Sequence, residues 1–422
     1  MAAVARAAVQ PAPAQSRLLM SGNDAVARAV WEAGVRVAAA YPGTPATEML
    51  EVISTYPDLY AEWSVNEKVS LEVAFGAAMA GSRSFCAMKH VGMNVASDAL
   101  MTMTLTGVSG GLVIAIADDV GLSSSQNEQD SRYWGRFAHV PVLEPADSQE
   151  AYDFTLAAFE LSERFQTPVI LRLTTRICHV KALVTVGERC ERPVPGFTKD
   201  VMRWVMVPGA AGKRLPLMFE RENALRAEAA KSLLNVIEPG DDRRVGFVTS
   251  GPAYMPVRES FPGAPVLKLG FSCPLPFDLV REFSKQCDQL VVVEEVEPLI
   301  ETEIKAQGIV AIGKDILPRS GELSPNVLKP AIARLLGEPE PEVATVKPMQ
   351  VFPRPPTMCV ACPHLGAYYT LAQLRNVTIS GDIGCYTLGF GQPWNALDAC
   401  ISMGASMGMA LGLDKGRAES EK

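Results

Sequence analysis

From Leu18 to about Leu183, apolar runs of strand length alternate with stretches whose apolar residues recur at helical spacing. Ser21-Gly22-Asn23-Asp24 supplies capping residues for a helix over 25–33, with Val26, Val30 and Ala33 on one stripe and Gly34 as its stop. Residues 35–40 read as a buried strand ended by Tyr41-Pro42-Gly43-Thr44-Pro45. A helix (47–54), a strand (60–65), a long Ala-rich helix (68–80), strands at 84–89 and 112–117, a helix at 149–161 and a strand at 169–174 follow. Strands that are apolar throughout need cover on both faces, so the pattern predicts an α/β fold with doubly wound parallel sheets. Ligands in such sheets bind at the carboxyl ends of the strands. That points to the loops 41–45, Asn66-Glu67, 90–94 and 118–130.

The pattern weakens over 184–242, which reads as a connecting region. A second α/β block begins at Arg244, with strands at 245–249, 266–269 and 290–294 and helices at 277–283 and 297–307. Pro339, Pro341, Pro348, Pro353, Pro355 and Pro356 mark a linker over 338–356. The division predicted is therefore 18–183, 184–337, the linker, and a third block over 357–422 that is too short for a complete α/β domain. Residues 1–17 read as a short extension.

Composition narrows the function classes. Hydrophobic residues make up 48% of the 422 and charged residues 20%, which excludes a largely disordered chain. Lys and Arg number 39 against 47 Asp and Glu, a net charge of −8, the wrong balance for binding nucleic acid through phosphates. The uncharged stretch 99–117 is long enough for a bilayer. It is broken by Thr102, Thr104 and Thr106, then Gly107, Ser109, Gly110 and Gly111, so no membrane span is expected. Nine cysteines, an odd number with no apolar leader, predict thiols in a reducing compartment, the cytoplasm.

Among residues that carry chemistry, neither a G-x-G-x-x-G after a strand nor a G-x-x-x-x-G-K-[ST] occurs. Glu67 follows a strand and opens an apolar helix. It reads either as an ordinary first-turn acid or as a partly buried catalytic carboxyl with a raised pKa. Lys89-His90 stands at the next strand end. Cys359-Val360-Ala361-Cys362-Pro363-His364 holds two thiols three apart, suited to zinc, part of an iron–sulfur cluster or a redox pair, or simply incidental thiols. Cys385 offers a third ligand and Cys400 a fourth.

The segments AAYPGTP (39–45), WSVNEK (63–68), MKHVGMN (88–94), ADDVG (117–121), SSQNEQD (124–130), CVACPH (359–364) and GDIGCYTLG (381–389) together resemble the large subunit of indolepyruvate:ferredoxin oxidoreductase. The resemblance runs from Leu18 to Leu413. It implies oxidative decarboxylation of aryl pyruvates such as indolepyruvate to acyl-coenzyme A, with thiamine diphosphate as cofactor and ferredoxin as electron acceptor. It implies a pyrimidine-binding domain over 18–183 and a transketolase C-terminal-like domain within 184–337. The start of a diphosphate-binding domain follows from 357.

Carried over residue by residue, Glu67 would pair with the aminopyrimidine ring nitrogen as the catalytic acid. Thr44, His90 and Asn94 would face the 2-oxo acid, and His364, Asp382, Gly384 and Cys385 the diphosphate. Apart from the resemblance, the spacing keeps Cys359, Cys362 and Cys385 as candidate metal ligands. The family's later Asn, which holds Mg2+ with a Gly-Asp motif, is not found 25–30 residues after Asp382. The C-x-x-C-x-x-C-x-x-x-C-P run of its [4Fe-4S] clusters is absent as well. On this reading the chain is the front two-thirds of such a subunit, inactive alone, with Mg2+ ligands outside it and a small β-type partner subunit beside it. A non-catalytic remnant, half of a split subunit, and a pyruvate-type 2-oxoacid:ferredoxin oxidoreductase stay open as alternatives.

Overall fold

The computed structural model describes residues 16–341, 351, 352, 354 and 356–416. Strand β1 (Ser16–Ser21) leads into α1 (Gly22–Glu32). The Ser21 hydroxyl accepts the Asp24 amide at 3.1 Å and the Asp24 carboxylate accepts the Ser21 amide at 3.0 Å, the reciprocal cap that this pair of residues encodes. Then follow β2 (Val37–Ala40), α2 (Thr47–Ile53), β3 (Tyr60–Trp63), α3 (Glu67–Met79), β4 (Ser84–Lys89), α4 (His90–Thr106) and β5 (Leu112–Asp118). The first block closes with α5 (Arg132–Ala138), β6 (Val142–Leu143), α6 (Ser148–Phe165), β7 (Val169–Thr174), α7 (Thr175–His179) and β8 (Lys181–Val186).

Strands β6-β7-β5-β4-β2-β3 form a parallel sheet in that order. Successive side chains of a strand point to opposite faces. On β5, Val113, Ala115 and Ala117 join the core with Val26, Leu50 and Phe159, while Leu112, Ile114 and Ile116 join Leu71, Met93 and Leu100 on the other face. Both faces are covered by helices, as the unbroken apolar strands require.

The chain continues through α8 (Val201–Trp204), α9 (Pro208–Ala229), β9 (Asn235–Glu238), β10 (Val245–Ser250), α10 (Tyr254–Ser260), β11 (Val266–Leu269) and β12 (Phe271–Cys273). Next come α11 (Phe277–Ser284), β13 (Gln289–Val293), α12 (Leu299–Ala306) and α13 (Pro325–Leu336). The second sheet runs β13-β10-β11-β9, with β9 antiparallel.

Residues 16–124 and 128–341 form one compact unit that runs across the expected 183/184 boundary. Strand β12, from the second block, pairs antiparallel with β6 and buries Phe271 in the first block's core. The open edge of the two-residue β6 is thereby covered. The region 184–242 is also more regular than expected, since α9 is a 22-residue helix. Pro208, Gly209, Gly212 and Pro216 mask its pattern, and Pro216 lies inside it without an amide proton to donate. What holds this segment is tertiary. Arg203, Arg214 and Arg221 donate to the carbonyls of Thr104, Leu105 and Thr106, acceptors at the end of α4, and of Val108 just beyond it.

The second unit comprises residues 125–127 and the described residues from 351 to 416. It contains α14 (His364–Leu371), a short parallel pair β14 (Ser380–Gly381) and β15 (Ala399–Cys400), and α15 (Ser406–Gly416). Most of the expected linker, the expected extension up to residue 15 and the tail from 417 lie outside the described residues. Among the described residues, no helix is long and apolar enough to cross a membrane.

Candidate active site

The carboxyl ends of β2, β3, β4 and β5 lie along one edge of the first sheet, and the expected site loops leave from them. Glu67 is the first residue of α3. The Asn66 side chain caps this helix by accepting the Val69 amide at 2.9 Å. The Glu67 carboxyl lies against the first turn of α4, so closely that a Cβ on Gly92 would stand 2.5 Å from its Cγ and 2.6 Å from its Oε1. Burial raises the pKa of this carboxyl, partly offset by a bond from its own amide, and no cation enters its electrostatics among the described residues. Such a group keeps a proton more readily than an exposed glutamate and can share it with a ring nitrogen.

After β2, the loop 41–45 contains a cis Thr44-Pro45 bond. The Gly43 amide donates to the Thr47 hydroxyl at 2.9 Å, and the buried Asn23 amide donates to the Pro45 carbonyl at 2.9 Å. The loop is thus pinned to the starts of α1 and α2, with Thr44 itself exposed. At the end of β4, Lys89 is buried and donates to the Ser124 carbonyl at 2.9 Å.

His90 and Asn94 do not lie in a loop, as was expected. The chain passes from Lys89 in extended geometry straight into α4, so both sit on that helix one turn apart. His90 is fully buried and Asn94 exposed. The tight passage leaves no residues for a loop.

Beyond β5 stands a buried ionic cluster. Arg132, fully buried, donates to Asp130 at 2.5 and 2.9 Å and to Glu294 at 2.6 Å, and reaches the carbonyls of Glu295 and Glu297. Arg172 donates to Asp118 at 2.7 Å and to Glu144 at 2.6 Å. Glu294 in turn accepts the amides of Ile300 and Glu301 at the start of α12. Burial pushes Asp130 up, but Arg132 and Arg172 together outweigh it and its carboxyl is held low. For Asp118, burial outweighs Arg172 and the carboxyl is raised. The cluster clamps the 118–131 loop to the end of β13, joining the two sheets.

In the second unit, Cys359 and Cys362 close a turn, with the Cys362 amide donating to the Cys359 carbonyl at 3.1 Å. His364 Nδ1 is 3.2 Å from Cys362 Sγ, and its ring lies edge-on to Tyr386. The His364 ring therefore touches the segment 381–386 at its last residue. Asp382 and Gly384, however, are already occupied. Asp382 accepts the Ser406 amide at 2.7 Å and hydroxyl at 3.0 Å, capping α15, and the Gly384 amide donates to the Thr387 hydroxyl at 2.9 Å. Among the described residues no three His, Cys, Asp or Glu side chains are placed to hold a metal ion. Cys359, Cys362 and Cys385 do not form the expected ligand set. Cys359 and Cys385 are exposed, Cys362 faces His364, and Cys385 begins a separate 3-10 turn.

Residues 28–193 match the family described as "Pyruvate flavodoxin/ferredoxin oxidoreductase, thiamine diP-bdg". The indolepyruvate oxidoreductase subunit IorA of Methanothermobacter thermautotrophicus is 43% identical over 421 residues, covering 94% of this chain and 68% of that protein. The subunit of the same name from Thermococcus kodakarensis is 39% identical, covering 94% and 66%. The chain belongs to the IorA family. It spans about two thirds of the length of these IorA relatives. A solved 2-oxoglutarate:ferredoxin oxidoreductase from Magnetococcus marinus shares its fold, with a TM-score of 0.63 at 18% identity over 78% of this chain and 66% of that one.

Within this IorA-family chain, several residues that build the edge of the sheet carried no motif. Asn23 and Gly92 act through close approaches that spacing does not reveal. Arg172 did leave a signal, a lone charge in the apolar strand Val-Ile-Leu-Arg-Leu-Thr, since a buried charge has to be paired.

Proposed function

We propose that this chain is the large subunit, or the greater part of it, of an enzyme that oxidatively decarboxylates aryl pyruvates such as indolepyruvate. The acyl group goes to coenzyme A and the electrons to ferredoxin, with a small β-type partner subunit completing the enzyme. The observation that carries the reading is Glu67, an unpaired, half-buried carboxyl at the carboxyl edge of the sheet in a chain of the IorA family. That setting suits the pyrimidine ring of thiamine diphosphate. When bound, this cofactor supplies a carbon nucleophile that takes up the 2-oxo group and accepts the electron pair released with carbon dioxide.

The chain's own residues do the remaining work. Glu67 holds a proton at the ring nitrogen, and Gly92 leaves the space that fixes its carboxyl. The exposed Thr44 hydroxyl orients the 2-oxo acid, with His90 and Asn94 on the facing helix. His364, whose Nε2 is left for a ligand, meets the diphosphate. Asp382, Gly384 and Cys385 contribute through the turn they form. The described residues do not fit Mg2+ or a [4Fe-4S] cluster, and no step is assigned to either. Nine free thiols suit a cytoplasmic enzyme.

The test is the assembled enzyme with coenzyme A, thiamine diphosphate and either ferredoxin or a viologen dye. Acyl-coenzyme A formation with kcat/KM at least about tenfold higher for indolepyruvate than for pyruvate is expected, roughly the discrimination a pocket achieves by shape. The opposite preference would favour the pyruvate-type reading, and no dye reduction with any 2-oxo acid would overturn the proposal.

Gly92→Ala follows from the same geometry. A displacement of about 1 Å at a reacting group costs on the order of 10²-fold in rate. A loss of kcat of that order is therefore expected in the assembled enzyme, with the far-UV circular dichroism unchanged. Turnover near that of the parent would show that Glu67 does not depend on the close approach.

A further inference from the structure

Lys89 is a buried cation at this edge of the sheet to which the roles above give no work. It is the last residue of β4, which lies between β2 and β5, and the N-cap of the 17-residue α4. It leaves the sheet at the edge that carries Thr44 and Glu67, and only 8% of it is exposed. Gly43, in the loop assigned to the 2-oxo acid, approaches so closely that a Cβ there would stand 3.1 Å from Lys89 Cβ. Three residues further on, Gly92 is the one that touches Glu67. A single turn of α4 thus separates the loop from the catalytic carboxyl, with Lys89 on the loop side.

An ammonium has three protons to donate. The described residues fill one of them, with the Ser124 carbonyl at 2.9 Å. The carboxylate that acts on Lys89, Asp119, accepts the Ser124 amide at 2.7 Å and the Thr175 hydroxyl at 2.9 Å. Burial consequently works against the charged form of Lys89 and lowers its pKa in spite of Asp119. An anion that met the remaining donors would relieve this.

We infer that Lys89 binds the carboxylate of the 2-oxo acid and so holds the 2-oxo carbon at the Glu67 side of the site, an inference that rests on the function proposed above. The substrate carboxylate is fully charged before decarboxylation and loses that charge as carbon dioxide departs. A cation on it therefore stabilises the bound acid at least as much as the transition state, and its loss appears in KM rather than in kcat. The competing role is a tether, in which Lys89 only anchors the 118–131 loop through Ser124.

Two readouts on the assembled enzyme separate these roles. Lys89→Met is expected to raise KM for the aryl pyruvate about 20-fold, as for loss of a charged hydrogen bond, with kcat within about threefold, while Lys89→Arg recovers most of the affinity. Reductive methylation of the parent enzyme, read by peptide mass spectrometry, should show Lys89 protected by the 2-oxo acid but not by its methyl ester. Unchanged KM in Lys89→Met together with faster hydrogen exchange over 118–131 would make Lys89 a tether and overturn the inference. If no 2-oxo acid is oxidised by the parent enzyme, the proposed function fails by itself. Equal protection by acid and ester then also rejects the carboxylate role.

Discussion

Glu67→Gln is expected to lower turnover of the assembled enzyme by on the order of 10²-fold or more, the usual loss when acid–base assistance is removed. Glutamine keeps the length and shape that fit against Gly92, so packing is preserved, but its amide cannot pass a proton to and from a ring nitrogen. The stability effect has a definite sign. Burial raises the folded-state pKa of Glu67, so the folded protein is penalised at pH values above the unfolded pKa of about 4.3, where the carboxylate would otherwise ionise freely. The neutral amide removes that penalty. The variant should therefore melt at or slightly above the parent at pH 7, with the difference vanishing as the pH falls below about 4. Steady-state turnover and melting curves between pH 4 and pH 8 check both parts. A variant with near-parental kcat would remove Glu67 from the chemistry.

Arg132→Met should be the most damaging single change to the fold. It removes the cation from between Asp130 and Glu294 and leaves both carboxylates buried, along with the carbonyls of Glu295 and Glu297. Breaking a buried pair by deleting one partner costs about 3–5 kcal/mol, a large share of the roughly 5–15 kcal/mol that holds a domain together. Its pH dependence is again set by sign. In the parent, Asp130 is held low by Arg132 and Arg172 against its burial, so it contributes stability above its unfolded pKa of about 3.9 that is lost as the pH falls through the folded value. Without Arg132, burial dominates and pushes Asp130 up. The variant is then penalised near neutrality and relieved by acid. Denaturant titrations at pH 5 and pH 7.5 should show the gap between parent and variant narrowing at the lower pH. An equal or wider gap at pH 5 would mean that the cluster is not held by charge.

The alternation of unbroken apolar runs with amphipathic stripes was enough to predict a doubly wound parallel sheet. It also placed β4, β7 and β11 at their observed bounds, because a strand buried on both faces is a mostly apolar run whose ends contrast with the polar turns around it. The capping residues Ser21 and Asp24 act locally and were equally legible, as was Glu67 at a strand end. What the chain pattern could not carry was everything that depends on a partner far away in sequence. Helix α9 is hidden by its own prolines and glycines and is held by two of its arginines, Arg214 and Arg221, bonded to carbonyls at the end of α4. Strand β12 pairs with β6, a strand more than a hundred positions earlier. His90 and Asn94 read as loop residues because nothing local shows that β4 runs directly into α4. The metal-ligand reading of Cys359, Cys362 and Cys385 rested on spacing alone, and the backbone places those thiols apart. Gly92, Asn23 and Lys89 acquire their roles from single close approaches. The sequence by itself determined the layers, since periodicity and burial are properties of neighbouring residues. Only the tertiary structure decided which side chains meet at the edge of the sheet, because contact and desolvation are properties of pairs that the chain brings together from a distance.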